Sequence, residues 1–363
     1  MAPPALRPQP GVLELAPYKP GKPAGNGVKL SANENCLGPS PKAIAAIEGA
    51  LTSLQTYPDP SAARLRQALA GLHGLDAARV ICSAGSDELI ALLCQAYLGP
   101  GDNIVQSRHG FLMYGVCATA CGAEVRRAPE ADLQMSVEAL AGVADARTRL
   151  CFIANPNNPT GAYLNGDALR RLRAALPEGC LLVLDGAYTE YVGAGDYEDG
   201  LSLVTEAGDV AVIRTFSKIH GLAALRIGWG YFPASVADAL NRIRGPFNVS
   251  TLAQAAGEAA VLDGAHAAQS AAHNTEWRAW LKDALEAAGL VVHPSEANFL
   301  LIDFANAPIS AEAANAALAR EGLIVRETGE YGLPSCLRVT IGLEDANRRV
   351  ADVLKRALAD ASV

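Results

Sequence analysis

An α/β fold is predicted, with a mostly parallel sheet flanked by helices and a smaller α+β unit behind it. Three observations predict it. From residue 79 to residue 215, short apolar runs alternate with helical stretches, the pattern of strands joined by crossover helices. Runs such as L-L-V-L at 181–184 are apolar throughout, as strands buried on both faces are. Beyond Pro246 the texture changes to two long Ala-rich helical stretches followed by β-rich segments. The expected organisation is an N-terminal arm at 1–30, a large domain at 31–245 and a small domain at 246–363. Residues 31–55 are open to packing with either.

Residues 1–27 are rich in Pro and Gly and read as an extended arm containing Tyr18. Ser40 then Pro41 is a helix start, cap followed by first turn, running to about residue 54. Y-P-D-P at 57–60 is a rigid turn carrying Tyr57, and Ser61 is expected to cap a second helix ending near residue 71. Strands follow at 80–82, 104–106, 125–128, 150–154, 181–184 and 210–215. Helices are expected up to residue 98 and at 113–120, 136–144 and 165–175. In the last third, helices are expected at 250–263, 265–288 and 310–320, with a final one from Glu344. Strands are expected at 298–304, near Ile324 and at 336–341.

The chain has 363 residues, 19% charged, with a net charge of −8. That is an ordinary globular balance and gives nucleic acid no electrostatic foothold. No apolar run reaches the 18 or more residues of a membrane span, and no secretory signal pattern opens the chain. The eight cysteines sit mostly in apolar strands and helices, and are expected to be free thiols in a cytoplasmic protein. Cys117 and Cys121 are at helical spacing without a completing set, so no metal site is expected.

The candidate chemistry centres on T-F-S-K-I-H-G-L-A-A-L-R-I-G at 215–228. Lys218 lies on a turn between two apolar segments. Enclosure there lowers an amine's pKa and frees it to attack a carbonyl. Thr215, Ser217 and Arg226 around it suit a phosphate, although Arg226 also fits a surface ion pair. Gly85-Ser86-Asp87 opens a helix after a strand, an anion-binding position or a plain capped start. N-P-N-N-P-T-G at 155–161 is a turn at a strand's C-terminal end, where α/β ligands bind, and holds Asn158. Asp185 ends the most apolar strand, where a carboxylate needs a partner, and Tyr188 follows three residues on. Arg338 interrupts the alternating strand C-L-R-V-T-I, as a carboxylate clamp or as the solvent face of an edge strand. Together these supply what pyridoxal phosphate (PLP) chemistry requires: an amine, an acid for the ring nitrogen, donors to a phenolate oxygen and an anion cup.

With these motifs in order along nearly the whole chain, the sequence resembles the fold-type I PLP-dependent aminotransferases, and most closely their histidinol-phosphate branch. A-N-E-N at 32–35, P-F-N-V-S at 246–250 and L-R-V-T-I-G at 337–342 complete the resemblance. It implies that Lys218 holds the cofactor covalently and moves protons, with Asp185 on the ring nitrogen. Asn158 and Tyr188 would bind the phenolate oxygen, and Phe111 would stack on the ring. Gly85, Ser86, Asp87, Thr215, Ser217 and Arg226 would hold the phosphate, joined by Tyr57 from a partner subunit in a homodimer. Arg338 would take the substrate carboxylate, and Tyr18, Asn33 and Arg326 would lie at the substrate's distal end.

The implied reaction is reversible amino transfer between L-histidinol phosphate and 2-oxoglutarate. An aromatic amino-acid aminotransferase, or a PLP-dependent decarboxylase of a phosphorylated amino acid, fits the same motifs. A binding module without turnover would predict loss of Lys218 or Asp185, and both are present. Cys36, His109 and His220 depart from the family pattern and bear on side-chain specificity.

Overall fold

The computed structural model describes residues 8, 11–17 and 27–361, so Tyr18 lies outside the described residues. The strands run in order β1 (Val28–Lys29), β2 (Val80–Ser83), β3 (Asn103–Ser107), β4 (Glu124–Ala128), β5 (Thr148–Ala154), β6 (Leu181–Asp185) and β7 (Val210–Thr215). They continue with β8 (Gly228–Tyr231), β9 (Val291–His293), β10 (Phe299–Asp303), β11 (Leu323–Ile324), β12 (Arg326–Glu327) and β13 (Cys336–Thr340).

The large sheet has seven strands in the order β2-β8-β7-β6-β5-β3-β4. Neighbours are parallel except at β8, which runs antiparallel to both β2 and β7. Successive residues divide between two cores, as a sheet covered on both faces requires. Cys151, Ile153, Leu182, Leu184 and Val212 enter one, while Phe152, Leu181, Val183, Ala211 and Ile213 enter the other. The small sheet, β12-β13-β10-β9, is antiparallel and buries one face against helices Gly264–Ala287, Ala311–Arg320 and Glu344–Ala361. β1 pairs with β11, and Leu30 joins the small core, which ties the start of the described chain to the small unit.

Two details differ from the sequence expectation. Ser61 does not cap the second helix. Ala62 takes a left-handed conformation (φ 47°), the helix runs Ala63–His73, and Asp59 accepts from the amides of Ser61 (2.9 Å) and Ala63 (2.8 Å). A carboxylate serves the positive end of a helix better than a hydroxyl does. The helix Thr251–Val261, grouped by composition with the small domain, packs into the large core through Ala253, Ala256, Ala260 and Val261. Its small residues admit close neighbours, and a Cβ on Gly257 would come within 2.9 Å of Ile227. Helix Pro41–Ala50 packs beside it.

The helices Leu201–Ala207 and Ala234–Ile243 and strand β9 carry no assignment in the sequence reading. Among the described residues, no helix is long and apolar enough to cross a membrane. All eight cysteines are free.

Candidate active site

The C-terminal ends of β2, β5, β6 and β7 lie along one edge of the large sheet and carry most of the candidate residues. At the end of β6, Asp185 is 4% exposed. Its Oδ2 accepts from the Tyr114 hydroxyl at 2.8 Å and its Oδ1 from the amide of Ala187 at 3.2 Å. Burial raises its pKa to about 6, while the Tyr114 bond opposes the rise. Lys218 stands on the turn after β7, and its Nζ donates to the carbonyl of Ala32 at 2.9 Å. Burial first, and the charge of Arg338 second, lower its pKa to about 8. The enclosure expected of this turn is therefore present.

Beside Lys218 the anion cup is assembled on a row that crosses three strands, Ser83, Gly228 and Thr215. Thr215 Oγ1 donates to Ser217 Oγ at 3.0 Å, and Arg226 donates to Ser217 Oγ at 3.3 Å. Arg226 also faces Asp87 at 3.5 Å. The helix Ser86–Tyr97 points its N-terminus into this space, behind Gly85. Two glycines keep the cup open. A Cβ on Gly85 would meet the Arg226 guanidinium at 2.4 Å, and one on Gly228 would meet the Ser86 amide nitrogen at 2.5 Å. Gly85 also has φ +86°, a conformation side-chain-bearing residues rarely adopt.

Tyr188 is 3% exposed and its hydroxyl accepts from Asn33 Nδ2 at 2.9 Å. Burial pushes its phenol up to about 12, so it is neutral at physiological pH. Phe111, at the start of helix Leu112–Ala120, sets its ring edge-on to Tyr114 at 5.5 Å. Asn158 is buried, and its Oδ1 accepts from the guanidinium of Arg338. The same guanidinium donates to the carbonyl of Ser31 at 2.7 Å and lies over Phe299, while its Nε has no partner. β13 is an interior strand and Arg338 is 5% exposed, which removes the solvent-face reading of this residue.

Two predicted residues stand apart. Arg326 is in register with Arg338 across β12 and β13, but its guanidinium is held by Glu330 at 2.6 Å. Tyr57 is 81% exposed and stacks on Phe247 at 4.5 Å. The departing histidines have their own partners. His220 tilts against Phe216 with its pKa lowered by burial to about 4, and His109 Nδ1 lies 2.7 Å from Glu130.

Sequence reasoning missed Tyr114 and the carbonyls of Ser31 and Ala32. Tyr114 had a signal, since it follows Phe111 by one helical turn in F-L-M-Y. It also missed the clasp on Asn33 (φ 57°). The Asn33 amide donates to Thr340 Oγ1 at 3.0 Å, and its carbonyl accepts from Asn298 Nδ2 at 3.0 Å.

A half-buried lysine and a buried carboxylate beside a glycine-lined anion cup define an enzyme that handles amines through a phosphorylated carbonyl cofactor. Residues 25–354 match the family described as aminotransferase class I and II, and the chain belongs to that family. It is 51% identical over 362 residues to the histidinol-phosphate aminotransferase of Dinoroseobacter shibae, covering 98% of this chain and 99% of that one. It is 50% identical over 353 residues to the enzyme of the same name from Rhodopseudomonas palustris, covering 96% and 97%. Among solved structures, the histidinol-phosphate aminotransferase of Sinorhizobium meliloti in complex with pyridoxal-5'-phosphate superposes with a TM-score of 0.87. The sequence identity is 28%, over 93% of each chain.

Proposed function

We propose that this chain is a PLP-dependent histidinol-phosphate aminotransferase, moving an amino group reversibly between L-histidinol phosphate and 2-oxoglutarate. The observation that carries the chemistry is the pairing of Lys218, its pKa lowered to about 8, with buried Asp185 at the same sheet edge. Full-length identity of about 50% to enzymes of that name supports the substrate.

The residues present fit the cofactor. The cup at Gly85 and Gly228 is shaped by close backbone approach, as a phosphate requires, and Asp185 is bonded by the Tyr114 hydroxyl and the Ala187 amide rather than by an ion pair among the described residues. When bound, PLP supplies an aldehyde that joins amines and a ring that draws electrons from bonds at the attached carbon. Lys218 would be the residue that attaches to it, and its amine would take and return the proton at the substrate's Cα. Asp185 would hold the proton of the ring nitrogen. Tyr188 and Asn158 would donate to the phenolate oxygen, and Phe111 would lie against the ring. Ser86, Asp87, Thr215, Ser217 and Arg226 bind the phosphate. Arg338 grips the carboxylate of 2-oxoglutarate or glutamate by a two-pronged ion pair. Asn33 and Arg326 line the distal end of the substrate.

The same reading includes a homodimer in which Tyr57 reaches the neighbouring subunit's site. Its exposure and its place on a rigid Pro-flanked turn support that role. The free cysteines support a reducing, cytoplasmic setting.

The test is a substrate panel on purified protein, following glutamate formation from 2-oxoglutarate with histidinol phosphate, phenylalanine and tyrosine as donors. Histidinol phosphate should give the highest kcat/KM. A preference for phenylalanine or tyrosine would transfer the reading to an aromatic aminotransferase.

A further inference from the structure

The register of the small sheet sets Leu301 opposite His293 and Asp303 opposite Cys336. Directly opposed residues of antiparallel strands share a face, and so do alternate residues along one strand. His293, Asp303 and Cys336 therefore stand together, on the face away from Val292, Leu300, Ile302 and Leu337, which fill the small core. Their imidazole, carboxylate and thiol ligand atoms all lie within 4.8 Å of one another.

Hydrogen bonding within the trio does not use all of it. His293 Nε2 is shielded from solvent and has no hydrogen-bond partner among the described residues. Asp303 Oδ1 already accepts from the amide of Ala305 at 2.8 Å, a contact that orients the carboxylate. Cys336 is a free thiol, 2% exposed. One nitrogen, one oxygen and one sulfur suit a borderline-soft divalent ion, zinc above all. Zinc bonds of about 2.0–2.3 Å place tetrahedral ligand atoms about 3.5 Å apart, so the trio must close by about 1 Å. The side chains rise from three paired strands, which leaves that adjustment to their rotamers.

We propose that His293, Asp303 and Cys336 form a site for Zn²⁺ or a similar borderline-soft divalent cation. Three protein ligands leave a fourth position for water. Binding converts the Cys336 thiol to a metal-bound thiolate and releases its proton to solvent. Cys336 and Arg338 share a face of β13, two residues apart.

The test uses the holoenzyme titrated with Co²⁺. One equivalent should produce the visible bands of tetrahedral cobalt together with a thiolate-to-cobalt charge-transfer band, and Zn²⁺ should displace both. Cys336→Ser should abolish the charge-transfer band, and His293→Ala should weaken binding at least about tenfold. Cys36, Cys117 and Cys121 are the partly exposed thiols. A band that survives Cys336→Ser would assign the metal to one of them and overturn the proposal, as would no band in the wild type. Zinc-edge X-ray absorption of the wild-type holoenzyme needs no variant. One sulfur in a shell otherwise of nitrogen and oxygen is expected, and a shell without sulfur overturns the site.

Discussion

The hydroxyl of Tyr114 donates to Asp185 Oδ2 at 2.8 Å, and both side chains are buried. Burial lifts the acid to a pKa of about 6 and the phenol holds it down. In the cofactor-free protein the carboxylate is ionised above that value, so affinity for PLP should fall as pH drops through it. Tyr114→Phe removes the donor, and the acidic limb should move to higher pH. A hydrogen bond to a charged group contributes about 1.5–3 kcal/mol, roughly one to two pH units, so affinity near neutrality should fall roughly two- to fifteenfold. A pH titration of PLP binding, wild type against variant, checks both statements.

Asp185→Asn should fold and bind PLP weakly, with kcat reduced on the order of a hundredfold or more, a barrier increase of about 2.7 kcal/mol. Steady-state kinetics at saturating cofactor measures it. Near-normal turnover would show that this acid does not serve the ring nitrogen.

Lys218 should capture the cofactor faster as pH rises. An ordinary lysine stays charged to above pH 10, whereas here half the amines are neutral at about pH 8. Covalent attachment in the cofactor-free protein should accelerate through that pH and level off above it, followed by absorbance in rapid mixing. Borohydride should then fix the label on Lys218, and a label on another lysine would remove the central assignment.

Much of this was legible beforehand because the chemistry sits in side chains of unusual type for their place: a lysine in an enclosed turn, an aspartate ending an apolar strand, an arginine inside another. Alternation of apolar runs likewise marked the large sheet. The Ser31 and Ala32 carbonyls were not legible, because every residue has one and only the fold aims it. Thr251–Val261 was misassigned because alanine-rich composition does not say which core a helix joins. His293, Asp303 and Cys336 lie in separate segments, and strand register alone brings them together.

Arg326 is held by Glu330, so in its proposed role a substrate phosphate would compete with that carboxylate. Glu330→Gln should lower KM for histidinol phosphate by a few fold. Arg326→Ala should raise it roughly ten- to a hundredfold while leaving KM for 2-oxoglutarate near its starting value. Equal effects on both substrates would place Arg326 outside the distal pocket.

Tyr57 and Lys218 should complement each other across subunits. Lys218→Ala and Tyr57→Ala chains, each impaired alone, should regain activity when mixed and refolded together, since one site of each heterodimer is then intact. Sedimentation should show a dimer. A monomer, or no regained activity, would count against the shared site.

The Ser31 carbonyl and the Arg338 guanidinium meet across 307 residues of chain, and Ala32 and Asn33 beside Ser31 hold Lys218 and Tyr188. A chain growing from its N-terminus presents one wall of the pocket almost at once and must wait for nearly its whole length to receive the other. Substrate recognition is thus a completion signal. A truncated chain that has already built the large sheet holds the residues proposed for the cofactor but still lacks the strand that carries Arg338, so cofactor colour alone would not count the molecules whose two ends have found each other.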